Sequence, residues 1–134
     1  MHYPLLVIID HGKLESLVED VHEAMMPFWE ELEVVDSYPH NPQGHWDWYV
    51  IGGRYSGWIP LRELDVPAYE PRCNATYAKY VNWDAMDEPP CVLKNGVWYG
   101  RWWESIEGTK SFDFHEVIKD VNPDALVVIV DCHI

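Results

Sequence analysis

The chain has 134 residues, 23 acidic against 9 basic, for a net charge of −14 at neutral pH. That length builds one domain with a real core, and a hydrophobic share of 48% excludes general disorder. The charge disfavours direct binding to duplex DNA or to an anionic membrane, both of which need clustered cations. It suits a protein partner with a basic surface, or serves to keep an aromatic-rich chain in solution.

Leu5-Leu6-Val7-Ile8-Ile9, between Pro4 and Asp10-His11-Gly12, predicts a strand buried on both faces. The run is too short for a secretory leader, and nothing approaches the length of a membrane span. Leu14, Val18, Val21, Met25, Phe28 and Leu32 recur at helical spacing and predict an amphipathic helix over about 13–32, kinked or ended near Pro27. Glu15, Glu19, Asp20, Glu23, Glu30 and Glu31 crowd its polar positions. They form a solvated face, or an acidic patch offered to a partner. Residues 33–38 read as a short extended piece.

The next stretch, 41–58, has a composition that no ordinary helix or strand requires. Trp46, Trp48, Tyr49, Tyr55 and Trp58 supply large rings, and Asp47 and Arg54 supply opposite charges. Gly52-Gly53 permits positive φ or a close approach of another group. A strand over about 46–51, a Gly-Gly bend and a second strand over about 54–60 is the simplest layout, with Trp46, Trp48 and Val50 on one face. Either this is an aromatic minicore with Asp47 and Arg54 as an internal ion pair, or it is a recognition surface formed by Trp46, Asp47, Trp48, Tyr49, Gly52, Gly53, Arg54 and Tyr55.

Residues 62–90 read as an irregular insertion that packs over the aromatic block. Cys91-Val92-Leu93-Lys94 and Val97-Trp98-Tyr99-Gly100 flank Asn95-Gly96, the signature of a type I′ hairpin. Trp102, Trp103 and Ile106 continue the aromatic theme. Ser111 is the expected N-cap of a second amphipathic helix over about 111–121, stopped by Asn122-Pro123-Asp124. Ala125-Leu126-Val127-Val128-Ile129-Val130 predicts a second buried strand. Cys73, Cys91 and Cys132 are far apart and odd in number, which fits a reducing cytoplasm rather than a disulfide framework.

The two apolar strands belong together at the centre of a sheet. The order of elements predicts an α+β fold, a decorated ferredoxin-like split βαββαβ sheet in a single domain spanning 1–134. Two amphipathic helices are expected on one face, with Trp-rich hairpins on the other or at the edge.

Asn41-Pro42, Trp46-Asp47-Trp48-Tyr49, Ile51-Gly52-Gly53-Arg54 and Ser56-Gly57 resemble the NP-x-x-K-W-D-W-Y-x-I-G-G-R-W signature of a family of small, mostly hypothetical proteins of bacteriophages and some bacteria. Asn95-Gly96-Val97-Trp98-Tyr99 and Val130-Asp131-Cys132-His133 share a weaker similarity with it. His45 stands in place of the usual Lys and Tyr55 in place of the usual Trp. If that Lys touches a ligand, binding here becomes pH-sensitive. The resemblance implies a phage origin and carries no established activity.

No dinucleotide, P-loop, nucleophile-elbow or zincin motif occurs, so no catalytic residue and no cofactor is assigned. Ser56 and His45 lack a readable base-and-orienter pattern. His40, His45, Asp47 and Cys132-His133 match no standard metal spacing. The function expected is a non-catalytic, acidic phage accessory protein of the host cytoplasm. It would act by binding, with a basic host nucleic-acid-binding or defence protein as the partner to inhibit. The alternative is a small-nucleotide binder, in which a base stacks on Trp46, Trp48 or Tyr55 while Arg54 and the Gly52-Gly53 amides hold phosphate. A purely structural role for the block is the third reading, and it requires Arg54 for folding.

Overall fold

The two apolar runs pair with each other along their whole length. In the computed structural model, which describes residues 1–31, 33–35, 38–63, 65–68, 74–100 and 109–134, the order is β1 (His2–Ile9), α1 (Leu17–Met25), β2 (Glu33–Val35), β3 (Tyr38–His40), β4 (Trp48–Ile51), β5 (Ala75–Tyr77), β6 (Cys91–Lys94), β7 (Val97–Gly100), α2 (Phe114–Ile118) and β8 (Leu126–His133). β1 and β8 are antiparallel from His2↔His133 to Ile9↔Leu126. The main sheet runs β4-β8-β1-β6-β7, with β1 and β6 parallel, and β5 joins β8 beside Leu126–Val128 while β4 joins it beside Val130–His133. β2 and β3 form a separate two-stranded ribbon.

Strands apolar on both faces need two covering layers. Tyr3, Leu5 and Val7 of β1 and Val128 and Val130 of β8 meet Leu17, Val21 and Met25 of α1, with Phe28, Trp46 and Trp98. The alternate residues, Leu6, Ile8, Val127 and Ile129, meet Phe114 and Val117 of α2 together with Ile59, Ala78, Val81 and Met86. The fold is α+β with a mixed sheet, as expected. The helices, however, lie on opposite faces rather than sharing one, because a single helical layer would leave half of each central strand in water. β1 also takes β6, the first strand of the hairpin, as its parallel neighbour.

Several boundaries differ from the sequence reading for local reasons. The expected helix over 13–32 is a 3-10 turn (Leu14–Ser16), α1, and a second 3-10 turn (Met26–Phe28) that contains Pro27. Proline lacks the amide an α-helix would need there. Val18, assigned to the apolar stripe, is 60% exposed, and Leu32 lies outside the described residues. The expected strand at 54–60 is absent: Gly53–Tyr55 is a 3-10 turn, and Gly52, Gly53 and Gly57 all take positive φ, which no extended strand accommodates. Asp113, not Ser111, caps the second helix, its Oδ1 accepting the His115 amide at 2.9 Å. The hairpin keeps its expected form, with φ of +49° at Asn95 and +83° at Gly96. Within 62–90, β5 and two 3-10 turns order part of the insertion. Trp102, Trp103, Ile106 and Cys73 lie outside the described residues. No helix among the described residues is long and apolar enough to cross a membrane.

Candidate functional site

The aromatic block begins as a clamp. Trp46 accepts the Glu30 amide through its carbonyl at 2.9 Å, and the His45 amide donates to Phe28 O at 2.8 Å. The segment after α1 therefore pairs with the segment before β4. Trp46 is 5% exposed, and its indole Nε1–H donates to Met25 O at 2.9 Å. Trp46 belongs to the core, whereas Trp48 and Val50 are 44% and 45% exposed, so the three do not share a face as the alternation implied. The strand starts only at Trp48, and the backbone turns before it.

Above this clamp lies a groove of about 420 Å³, with His22, Met26 and Trp29 on the helix side and Trp46, Asp47, Trp48 and Tyr49 on the other. Trp46 and Tyr49 meet at 86° with centroids 4.9 Å apart, and Trp29 stacks on Trp46 at 6.2 Å. The Tyr49 hydroxyl lies 3.2 Å from His22 Nδ1. Burial, with the Cys132 thiol beside it, raises the Tyr49 phenol above its ordinary value, so it is neutral at physiological pH.

The other half of the site comes from the paired first and last strands. Register sets His2 opposite His133, and His133 opposite Trp48. The Trp48 indole stacks on the His133 ring with centroids 5.1 Å apart at 12°, and meets His2 edge-on at 5.2 Å. His133 Nδ1 lies 2.7 Å from Asp47 Oδ1, and His2 Nδ1 lies 2.7 Å from Asp131 Oδ1. With protons on the Nδ1 atoms, both rings donate and both carboxylates accept. Asp131 is 2% exposed, and its second oxygen accepts the Arg54 amide at 2.9 Å. These two donors are what makes a buried carboxylate tolerable.

Gly52, Gly53, Arg54 and Tyr55 lie beyond β4, away from the groove. The Gly52 amide donates to Ile129 O at 2.9 Å. Asn74 holds the following turn, accepting the Gly57 amide at 3.1 Å and donating to Ser56 Oγ at 3.0 Å. Tyr55 packs edge-on to Trp58 over the second core. Arg54 does not pair with Asp47: its side chain is exposed, and it forms no ion pair among the described residues. The eight block residues are thus not one patch. Trp46, Asp47, Trp48 and Tyr49 line the groove, Gly52 to Tyr55 form a turn, and Asp131 and His133 link the two.

His45 is a core residue, 1% exposed, stacked on Trp98 at 4.1 Å. Its Nδ1 is 2.5 Å from Gln43 O and its Nε2 2.5 Å from Thr109 Oγ1. It does not line the groove beside α1. Of the acidic positions, Glu15, Glu19, Glu23, Glu30 and Glu31 are exposed. Glu19, Glu23 and Glu30 are close in sequence to His22 and Trp29 but do not line the groove, and Glu23 lines a separate cavity with Asp20. Asp20 is half-buried and holds the start of the helix, its Oδ2 accepting from the Lys13 amide at 2.9 Å and Ser16 Oγ at 2.7 Å. Lys79, Lys94 and Lys119 pair with Asp124, Asp120 and Glu116, remote in sequence from the groove.

His2, His22, Trp29, Asp131 and His133 were missed as site residues. Asp131 carried a signal, being a charge inside an otherwise continuous apolar strand. The contacts of the others depend on strand register or on the chain's return after α1. Among the described residues, no three His, Cys, Asp or Glu side chains converge where a metal could sit. No family model, curated protein or solved structure matches the chain.

Proposed function

We propose that this is a non-catalytic binding protein whose recognition surface is the aromatic groove beside α1, and that its partner is a protein with a basic surface. The observation that carries the reading is the juxtaposition of half-exposed rings, Trp48 above all, with the Asp47 carboxylate in one groove, on a chain whose Glu19, Glu23 and Glu30 are exposed. Rigid aromatic anchors inside a charged rim are the usual anatomy of an energetic interface. The signature at 41–57 adds a context, a phage accessory protein acting in the host cytoplasm on a nucleic-acid-binding or defence protein. A panel of purified basic host proteins tests this by titration at about 50 and about 500 mM salt, where screening should weaken a charge-steered complex tenfold or more. Affinity indifferent to salt would remove the electrostatic part of the proposal.

Nucleotide sequestration is the second reading, supported by the exposed side chains of Arg54 and Trp48. The Gly52 and Arg54 amides are already engaged by Ile129 O and by the Asp131 carboxylate, which leaves fewer donors for a phosphate. A nucleotide thermal-shift screen separates the two readings, since a ligand at a hundredfold its dissociation constant adds about 2.7 kcal/mol.

A further inference from the structure

The chemistry of the groove narrows the ligand class, on the assumption that the binding reading above is right. Its walls are Trp29, Trp46, Trp48 and Tyr49, with the Met26 thioether and the His22 imidazole beside them and one carboxylate, Asp47. Trp46 and Tyr49 stand perpendicular at 4.9 Å, two sides of a corner rather than a filled stack. Asp47 is held by His133 Nδ1 at 2.7 Å, which fixes its position at the rim. The chain as a whole carries −14. Several π-faces, one oriented carboxylate and a negative surrounding field are the three features that favour an organic cation over a neutral apolar group.

We infer that the groove is an aromatic pocket for an alkylammonium cation, presented as a lysine side chain of the basic partner. The cation sits against the faces of Trp48 and Trp29, and its alkyl stem lies along Met26. Asp47 supplies the counter-charge. A neutral side chain of the same shape would gain the apolar contact and lose the rest.

The test uses the intact protein, with aromatic NMR shifts and Trp fluorescence as readouts. The probes are choline, its uncharged isostere 3,3-dimethylbutan-1-ol, and a short peptide carrying one lysine or one acetyl-lysine. Choline should bind about fivefold or more tighter than the isostere, and the lysine peptide tighter than the acetylated one by a similar factor. Asp47→Asn, which keeps a hydrogen-bond acceptor for His133, should weaken choline and leave the isostere unchanged. Trp48→Ala should weaken both, and because Trp48 is 44% exposed the variant should fold. Tyr49→Leu is a second wall variant, with far-UV circular dichroism as its folding control. Choline binding without discrimination between the two peptides would make the ligand a free ammonium compound and overturn the lysine assignment. Equal affinity for choline and its isostere, or no shift at Trp48 and Tyr49 with any probe, would overturn the inference. Salt-dependent binding to a basic protein that survives Trp48→Ala would overturn it too, while leaving the proposed function standing.

Discussion

Asp131 occupies the space that a side chain at Gly53 would need. A β-carbon built on Gly53 lies 2.5 Å from Asp131 Oδ2 and 2.7 Å from Asp131 Cβ, and Gly53 itself has φ of +55°. This contact joins the Gly-Gly turn to the last strand, and through Asp131 to His2 at the start of the chain. Gly53 is there for closeness to a buried carboxylate of the same chain, whereas Gly52 makes room for the Asn74 side chain.

Gly53→Ala should therefore combine two costs. Left-handed backbone at a residue with a β-carbon costs roughly 1–2 kcal/mol, and disturbing the donors of a buried carboxylate adds about 1–3 kcal/mol. Gly57→Ala is the matched control, since Gly57 has φ of +87° with open space around it and should show the backbone cost alone. Urea midpoints for the two variants check this. Equal losses would mean that Asp131 does not constrain the turn.

The described thiols should be inert in the folded protein. Burial pushes Cys91 up to about 12 and Cys132 well above its ordinary value, so neither offers a thiolate at physiological pH. Iodoacetamide at about pH 8 should leave both unlabelled in native buffer and label both in urea, as read by peptide mass spectrometry. Fast native labelling of either would show that its strand opens readily.

Local chemistry accounts for what could be read from the sequence. The apolar runs of β1 and β8, the Asn95-Gly96 turn and the end of α1 at Pro27 each depend on a few adjacent residues. The site depends on distance. His2 and Asp131 are 129 positions apart, and Asp47 and His133 are 86 apart, so their contacts exist only once β1 and β4 take their register on either side of β8. Asp47 and Arg54 looked like partners because they are close in sequence. The turn at Gly52 instead gives the Arg54 amide, not its guanidinium, to Asp131. Even the split of the aromatic block follows from this turn, which carries Tyr55 to the opposite core.

His45 should make stability depend on pH in the weakly acidic range. Burial lowers its pKa from 6.5 to about 4. Between those values the unfolded chain binds a proton that the folded chain does not, so stability is fully present above pH 6.5 and declines as the pH falls towards 4. A shift of this size corresponds to about 3 kcal/mol over the whole window. Urea midpoints measured through that range for wild type and for His45→Gln, which cannot titrate, should diverge on acidification. Parallel pH profiles would show that burial does not lower the His45 pKa in the folded chain.

Arg54 separates backbone from side chain at one position. Its guanidinium is exposed, with no ion pair among the described residues, while its amide donates to the buried Asp131 at 2.9 Å. Arg54→Ala should stay within about 0.5 kcal/mol of wild type, as surface substitutions away from special features do. Arg54→Pro keeps a φ that suits a 3-10 turn but deletes the donor, and should cost about 2 kcal/mol by leaving a buried acceptor short of one partner. Chemical denaturation of both variants, with chemical shifts of the His2 ring as a reporter on Asp131, distinguishes the two roles. Unfolding by Arg54→Ala would make the guanidinium structural. A neutral Arg54→Pro would mean that Asp131 is held by His2 alone.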